Sequence, residues 1–251
     1  MLDSLGPLQL VVIGICVLLT GASKTAMPVA GVISGTLLAA ILTPTVASAF
    51  LVPLLLIGDI FALARYRQHV QWRLIGRLLP GLVVGFVLMA VAFRYLDPGV
   101  LGRILGALIL ISFALEVMRR RSKDGLVARR PAAARVQAAF FGSLAGMTTM
   151  AANAGGTAMS LYLIAMRVPM LAFMGTSAWF FTFLNLAKVP VVLGLGLVTP
   201  QTLIAGAWYL PALFAGAGLG IWVFQRMDQK VFTQVALSVS AVVGAWLLIH
   251  G

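Results

Sequence analysis

The sequence predicts an all-α polytopic membrane protein built of two homologous helical repeats, each opening on an interrupted helix pair. Three observations predict it: an apolar composition, uncharged stretches of spanning length from end to end, and fixed displacements at which the chain matches itself. Of 251 residues, 61% are hydrophobic and only 10% are charged, against about a quarter charged in soluble domains. No water-soluble fold of this size could enclose so much apolar surface. The apolar pattern never gives way to a polar mature chain, so the N-terminal stretch is read as part of the fold and not as a secretory signal.

A spanning helix needs about 20 mostly apolar residues. The chain opens with two shorter apolar segments, 7–20 and 26–42, separated by small polar residues between Thr20 and Pro28. Segments 46–64, 78–96 and 101–118 follow as spans. The stretch 119–135 is the only strongly hydrophilic one and is predicted to be a basic cytoplasmic linker. A second short pair, 136–150 and 156–166, is again broken by glycine and small polar residues, and 170–195, 203–224 and 231–249 complete the chain. The lone Cys16 lies in an apolar run, which excludes an internal disulfide and fits a small buried hydrophobe.

Paired interruptions suggest a duplication. Gly21 and Gly31 match Gly146 and Gly156 at a displacement of 125, as Thr43 and Pro44 match Val168 and Pro169. Leu79 and Pro80 match Leu210 and Pro211 at 131, and so does the run 94–97 with 225–228. One constant displacement, then a second after six inserted residues, divides the chain into a first repeat (1–118), a linker (119–135) and a second repeat (136–251).

The formal charge of +12 is concentrated, with 11 of 18 basic residues in 65–77 and 119–135. No aromatic or glycine pattern of a nucleic-acid module accompanies them. Basic loops between spans mark cytoplasmic retention, so both stretches are assigned to the cytoplasm of a bacterial-type inner membrane. Arg167 and the loop 225–230 are also basic, whereas 196–202 carries no charge. This bias favours inverted repeats, which require each interrupted pair to enter and leave on one face. If each pair were a single bent span, the repeats would be parallel and the spans eight.

Broken helices at matching places in two halves point to a transporter's central site. Helix N-termini offer unpaired N–H groups there, and the hydroxyls of Ser23, Thr25, Thr148 and Thr149 with the Asn153 amide could bind an oxyanion. Lys24 stands out, because a charge at the centre of a span costs about 2.5–3.5 kcal/mol on insertion scales. It is read either as a cationic ligand or as a side chain snorkelling from a shallow boundary. Asp59 is a possible coupling residue for a proton or sodium, or the structural partner of Arg65 or Lys24. Lys188 allows the same two readings as Lys24. No nucleotide, metal or catalytic constellation appears, so neither an enzyme nor a bound cofactor is expected. The small-xxx-small pairs Gly102/Gly106 and Gly216/Gly220 predict close helix packing.

The broken first helix, the run from Gly142 to Gly146 continuing through Asn153 to Gly155 and Gly156, and a polar Asn185 two segments on resemble the sulfite exporter TauE/SafE family of membrane permeases. The resemblance covers nearly the whole chain. It implies an anion carrier for sulfite, a sulfonate or a related sulfur-containing organic anion; the two repeats add the expectation of alternating access, one repeat rocking against the other. It places the anion near Lys24, Thr25, Thr149, Asn153, Thr176 and Ser177, with Gly155, Gly156 and Asn185 close by. A small-anion channel and a non-transporting membrane scaffold remain the rival readings, and the oligomeric state is not legible.

Overall fold

The computed structural model describes residues 6–42, 44–95, 98–121, 131–152, 155–194, 196 and 198–250, and among these only helices and turns occur. Eleven α-helices follow the apolar segments: α1 (Pro7–Thr25), α2 (Gly31–Leu42), α3 (Pro44–Tyr66), α4 (Trp72–Tyr95), α5 (Pro98–Arg121), α6 (Pro131–Ala152), α7 (Gly155–Ala165), α8 (Met170–Gly194), α9 (Pro200–Trp208), α10 (Leu210–Arg226) and α11 (Gln229–His250). Pro7, Pro44, Pro98, Pro131 and Pro200 each open a helix, where a missing N–H removes no intrahelical bond and the fixed φ suits the first turn. Among the described residues, five stretches, Pro7–Thr25, Ala49–His69, Trp72–Met89, Met170–Gly194 and Gln229–Ile249, are long and apolar enough to cross a membrane, or six with the bent pair α9 and α10. The chain is a multi-pass membrane protein. The middle of the linker, 122–130, lies outside the described residues.

The first interruption is narrower than glycine and polar content alone predict. Helix α1 continues through Gly21, Ser23 and Lys24 to Thr25, and the chain becomes extended at Met27, φ −160° and ψ 102°. Pro28 explains the position, since a proline pushes the preceding residue out of the helical region. A short 3-10 turn, Pro28–Ala30, then leads into α2. Lys24 therefore sits on the last turn of a helix, where the helix dipole favours a cation, and not at a helix N-terminus. Sequence reading also treated 203–224 as one span, but the chain bends by 50° between α9 and α10. Thr199 and Thr202 cap α9 reciprocally, with N-to-hydroxyl distances of 3.2 and 2.8 Å.

The chain divides into two compact units. Unit 1 takes 1–70 and 170–228, and unit 2 takes 71–169 and 229–251. In unit 1, α1 packs along α10 and α3 along α8. Gly21 lies against the backbone of Leu213 and Ala217, and Gly216 against that of Leu18. An added β-carbon would meet main chain at either glycine, so the predicted close approach of Gly216 and Gly220 is a real α1–α10 contact. The apolar core of this unit gathers Ile13, Val17, Leu38, Phe50, Leu54 and Leu213.

In unit 2, α4 packs along α6 and α5 along α11. Gly146 meets the backbone of Leu82 and Phe86, and Gly85 that of Ser143. Every residue of α7 is buried, and this helix contacts α5, α6 and α11. It ends in a Schellman turn: the amides of Arg167 and Val168 return to the carbonyls of Ile164 and Leu163 at 2.9 and 3.1 Å. Arg167 takes the left-handed position there, at φ 55°.

Candidate functional site

Unit 1 brings together four of the residues singled out from the sequence. Lys24 leaves the last turn of α1 and places Nζ 2.6 Å from Oδ1 of Asp59 on α3. Asn185 on α8 donates from Nδ2 to the other carboxylate oxygen, also at 2.6 Å. The side chains of Lys24 and Asp59 are 9% and 2% exposed. Lys188, one turn beyond Asn185, is half-buried and within electrostatic range of both Asp59 and Lys24.

Burial distinguishes this pair from a surface contact. Asp59 lies at the sequence midpoint of the apolar stretch Ala49–His69 and Lys24 in the last turn of α1, and the protein encloses both side chains. Arg65, the other partner considered for Asp59, is exposed and lies over the ring of Tyr66, 5.7 Å from its centroid. Both Asp59 oxygens accept charged or polar N–H donors, the arrangement that makes a buried carboxylate tolerable.

Two neighbours shape the cluster and escaped the sequence reading. Gly58 leaves room for the Lys24 stem, whose Cγ would lie 3.1 Å from a β-carbon placed there. The Phe181 ring faces the ammonium at 5.4 Å from its centroid, within the range of a cation–π contact. The adjacency of Gly58 to Asp59 was the only sequence signal for the first; nothing signalled the second.

The hydroxyls beside Lys24 point elsewhere. Ser23 donates to the Thr20 carbonyl at 2.8 Å, and Thr25 donates to the Ala217 carbonyl on α10 at 2.8 Å. The Thr25 carbonyl in turn accepts from the Tyr66 hydroxyl at 2.7 Å. A further pair, Thr20 and Ser34 at 2.8 Å, ties α1 to α2 across the break. Thr176 and Ser177 are buried on α8.

In unit 2, Thr148 donates to the Leu144 carbonyl at 2.7 Å, as a helical threonine commonly does. Thr149 is buried against Gly155, and Gly155 and Gly156 open α7 in a buried position. Asn153 lies outside the described residues. Among the described residues, the buried hydroxyls of Thr149, Thr157, Ser160 and Ser177 have no hydrogen-bond partner. Among the described residues, no group of three or more His, Cys, Asp or Glu side chains is placed to hold a metal ion.

No curated protein and no solved structure gives a significant match to the chain. A family model described as sulfite exporter TauE/SafE matches residues 13–247, a stretch that includes Lys24, Asp59, Asn185 and Lys188 and runs from within α1 into α11. By that match over nearly its whole length, the chain belongs to the sulfite exporter TauE/SafE family of membrane transporters.

Proposed function

We propose that this protein is a secondary transporter that carries sulfite, or a small sulfonate or related sulfur-containing organic anion, across a bacterial-type inner membrane. The observation that carries the reading is the buried Lys24–Asp59–Asn185 cluster among apolar helices of spanning length, with Lys188 in range. A buried ion pair is poor packing material, since apolar side chains of similar volume hold helices as well or better. Intramembrane charges instead mark solute pathways. Two ammonium groups around one carboxylate suit a ligand of negative charge.

No nucleotide motif is present in the sequence, so the driving energy comes from the gradient of the anion or of an ion. Alternating access between the repeats 1–118 and 136–251, inverted and joined by the basic linker 119–135, is the proposed motion. The close approaches support the duplication. Gly21 and Gly146 are 125 residues apart, while the backbones they meet, Leu213 with Ala217 and Leu82 with Phe86, are displaced by 131. Those are the two displacements at which the sequence repeats.

Sealed proteoliposomes test the reading. Sulfite, sulfoacetate and thiosulfate should enter saturably and faster when the same anion is trapped inside, and taurine, with its own ammonium group, should move least. Lys24→Ala removes a charged contact worth about 1.5–3 kcal/mol, so affinity should fall about ten- to hundredfold. Flux without counterflow would indicate a pore. No flux of any of these anions, with no rise in melting temperature, would overturn the anion assignment.

A further inference from the structure

Resting on the anion-carrier reading above, we propose that the transported anion competes with Asp59 for the Lys24 ammonium, and that Asp59 binds one proton whenever the anion displaces it. One proton then travels with each anion.

The geometry carries each part of this exchange. Asp59 receives the Lys24 ammonium on Oδ1 and the Asn185 amide on Oδ2, which leaves the pair neutral while the site is empty of anion. An anion that draws Lys24 away strips Oδ1 of its ion-pair partner and turns the Lys188 charge towards itself. A buried carboxylate in that position neutralises by taking a proton instead of remaining ionised. One O–H bond forms at Oδ1, with the proton delivered from water on the side to which the site is open. It breaks when the anion leaves and Lys24 returns. Asn185 holds Oδ2 through both states, so the proton enters only on the vacated side.

Lys24 is built to move. Its stem runs beside Gly58, where no β-carbon obstructs it, and it stands one turn before the break at Met27 and Pro28. The Phe181 face, 5.4 Å from Nζ, offers the ammonium a second resting place.

The arrangement selects a proton over sodium. A hard metal cation needs a shell of oxygen ligands, but both Asp59 oxygens face N–H donors, one of them cationic. Among the described residues of the elements packed on α3, the charged or titratable groups towards Asp59 are Lys24 on α1 and Lys188 on α8. Cys16 on α1 is buried in the apolar core, and Tyr209, between α9 and α10, donates its hydroxyl to the Leu10 carbonyl. Helices α2 and α9 carry no titratable side chain, while Arg226 on α10 and Arg67 and His69 after α3 are exposed.

The test uses the full chain in proteoliposomes, with potassium and valinomycin clamping the membrane potential at zero. Thiosulfate is the anion, because it does not titrate near neutral pH. One proton per anion allows about tenfold accumulation of thiosulfate per unit of imposed pH difference. A thiosulfate gradient should also shift the pH reported by a trapped dye. Whatever exchange Asp59→Asn retains, it should accumulate no thiosulfate in a pH gradient and move no protons. Persistent pH-driven accumulation by Asp59→Asn would overturn the proposal, as would wild-type accumulation driven by sodium with no proton movement. If Asp59→Asn does not fold, the proton count of the wild type decides alone. Wild-type flux without protons sinks only the coupling; absence of any thiosulfate, sulfite or sulfoacetate flux sinks the transport reading and the coupling with it.

Discussion

At the scale of single residues, the Lys24–Asp59 pair puts two opposite charges in the interior of unit 1. Lys24→Met leaves a buried carboxylate without its cation, and the expected loss is about 3–5 kcal/mol, visible as a lower melting temperature. Lys24→Met combined with Asp59→Leu should recover most of that stability while anion transport stays lost. Recovery of neither would mean that the pair does not behave as a coupled buried unit. Both residues were legible in the sequence because each is a charge inside an apolar run. Their pairing was not, because hydropathy does not say which helices meet, and Arg65 was an equal candidate. Where the hydroxyls point was not legible for a related reason: sequence reveals donors but not their partners, and Ser23, Thr25 and Thr148 direct theirs to main-chain carbonyls.

At the scale of elements, close backbone contact holds α1 to α10 and α4 to α6 through glycine. Gly21→Ala and Gly146→Ala each push a methyl group into main chain and should each cost about 1–3 kcal/mol. Similar losses in thermal unfolding would fit equivalent places in a repeat; a loss at one position alone would argue against it. Arg167→Gly should instead stabilise by about 1 kcal/mol, since glycine takes the left-handed position at the end of α7 without strain. The helix boundaries were largely readable from apolar length and proline. The bend before α10 was not, because the same Leu-Pro pair lies inside the unbroken α4 at Leu79 and Pro80 and at the start of α10 at Leu210 and Pro211. Proline marks a place where a helix can break, and the surrounding contacts decide whether it does.

At the scale of the whole molecule, the compact units divide the chain differently from the sequence repeats, each unit drawing on both halves. Composition fixed the membrane setting and the number of apolar segments, but partner choice between distant helices leaves no mark in hydropathy. Topology is open to direct measurement. Cysteines placed at His69 and Arg167 should be shielded from an impermeant maleimide in right-side-out vesicles, and one at Gly196 should react; the native Cys16 is buried and should stay silent. Labelling at position 167 from outside would replace inverted repeats with parallel ones. The enclosure of α7 has a consequence for biosynthesis. This helix has 11 residues, about 16 Å of rise against a hydrocarbon core of about 30 Å, and part of its casing is α11, which is made well after it. Until residues 229–250 emerge from the ribosome, α7 is an apolar stub lacking one of its walls, so nascent chains released before Gln229 should be cleared by membrane proteases, and the arrival of α11 becomes a point at which the cell can tell an enclosed α7 from an open one.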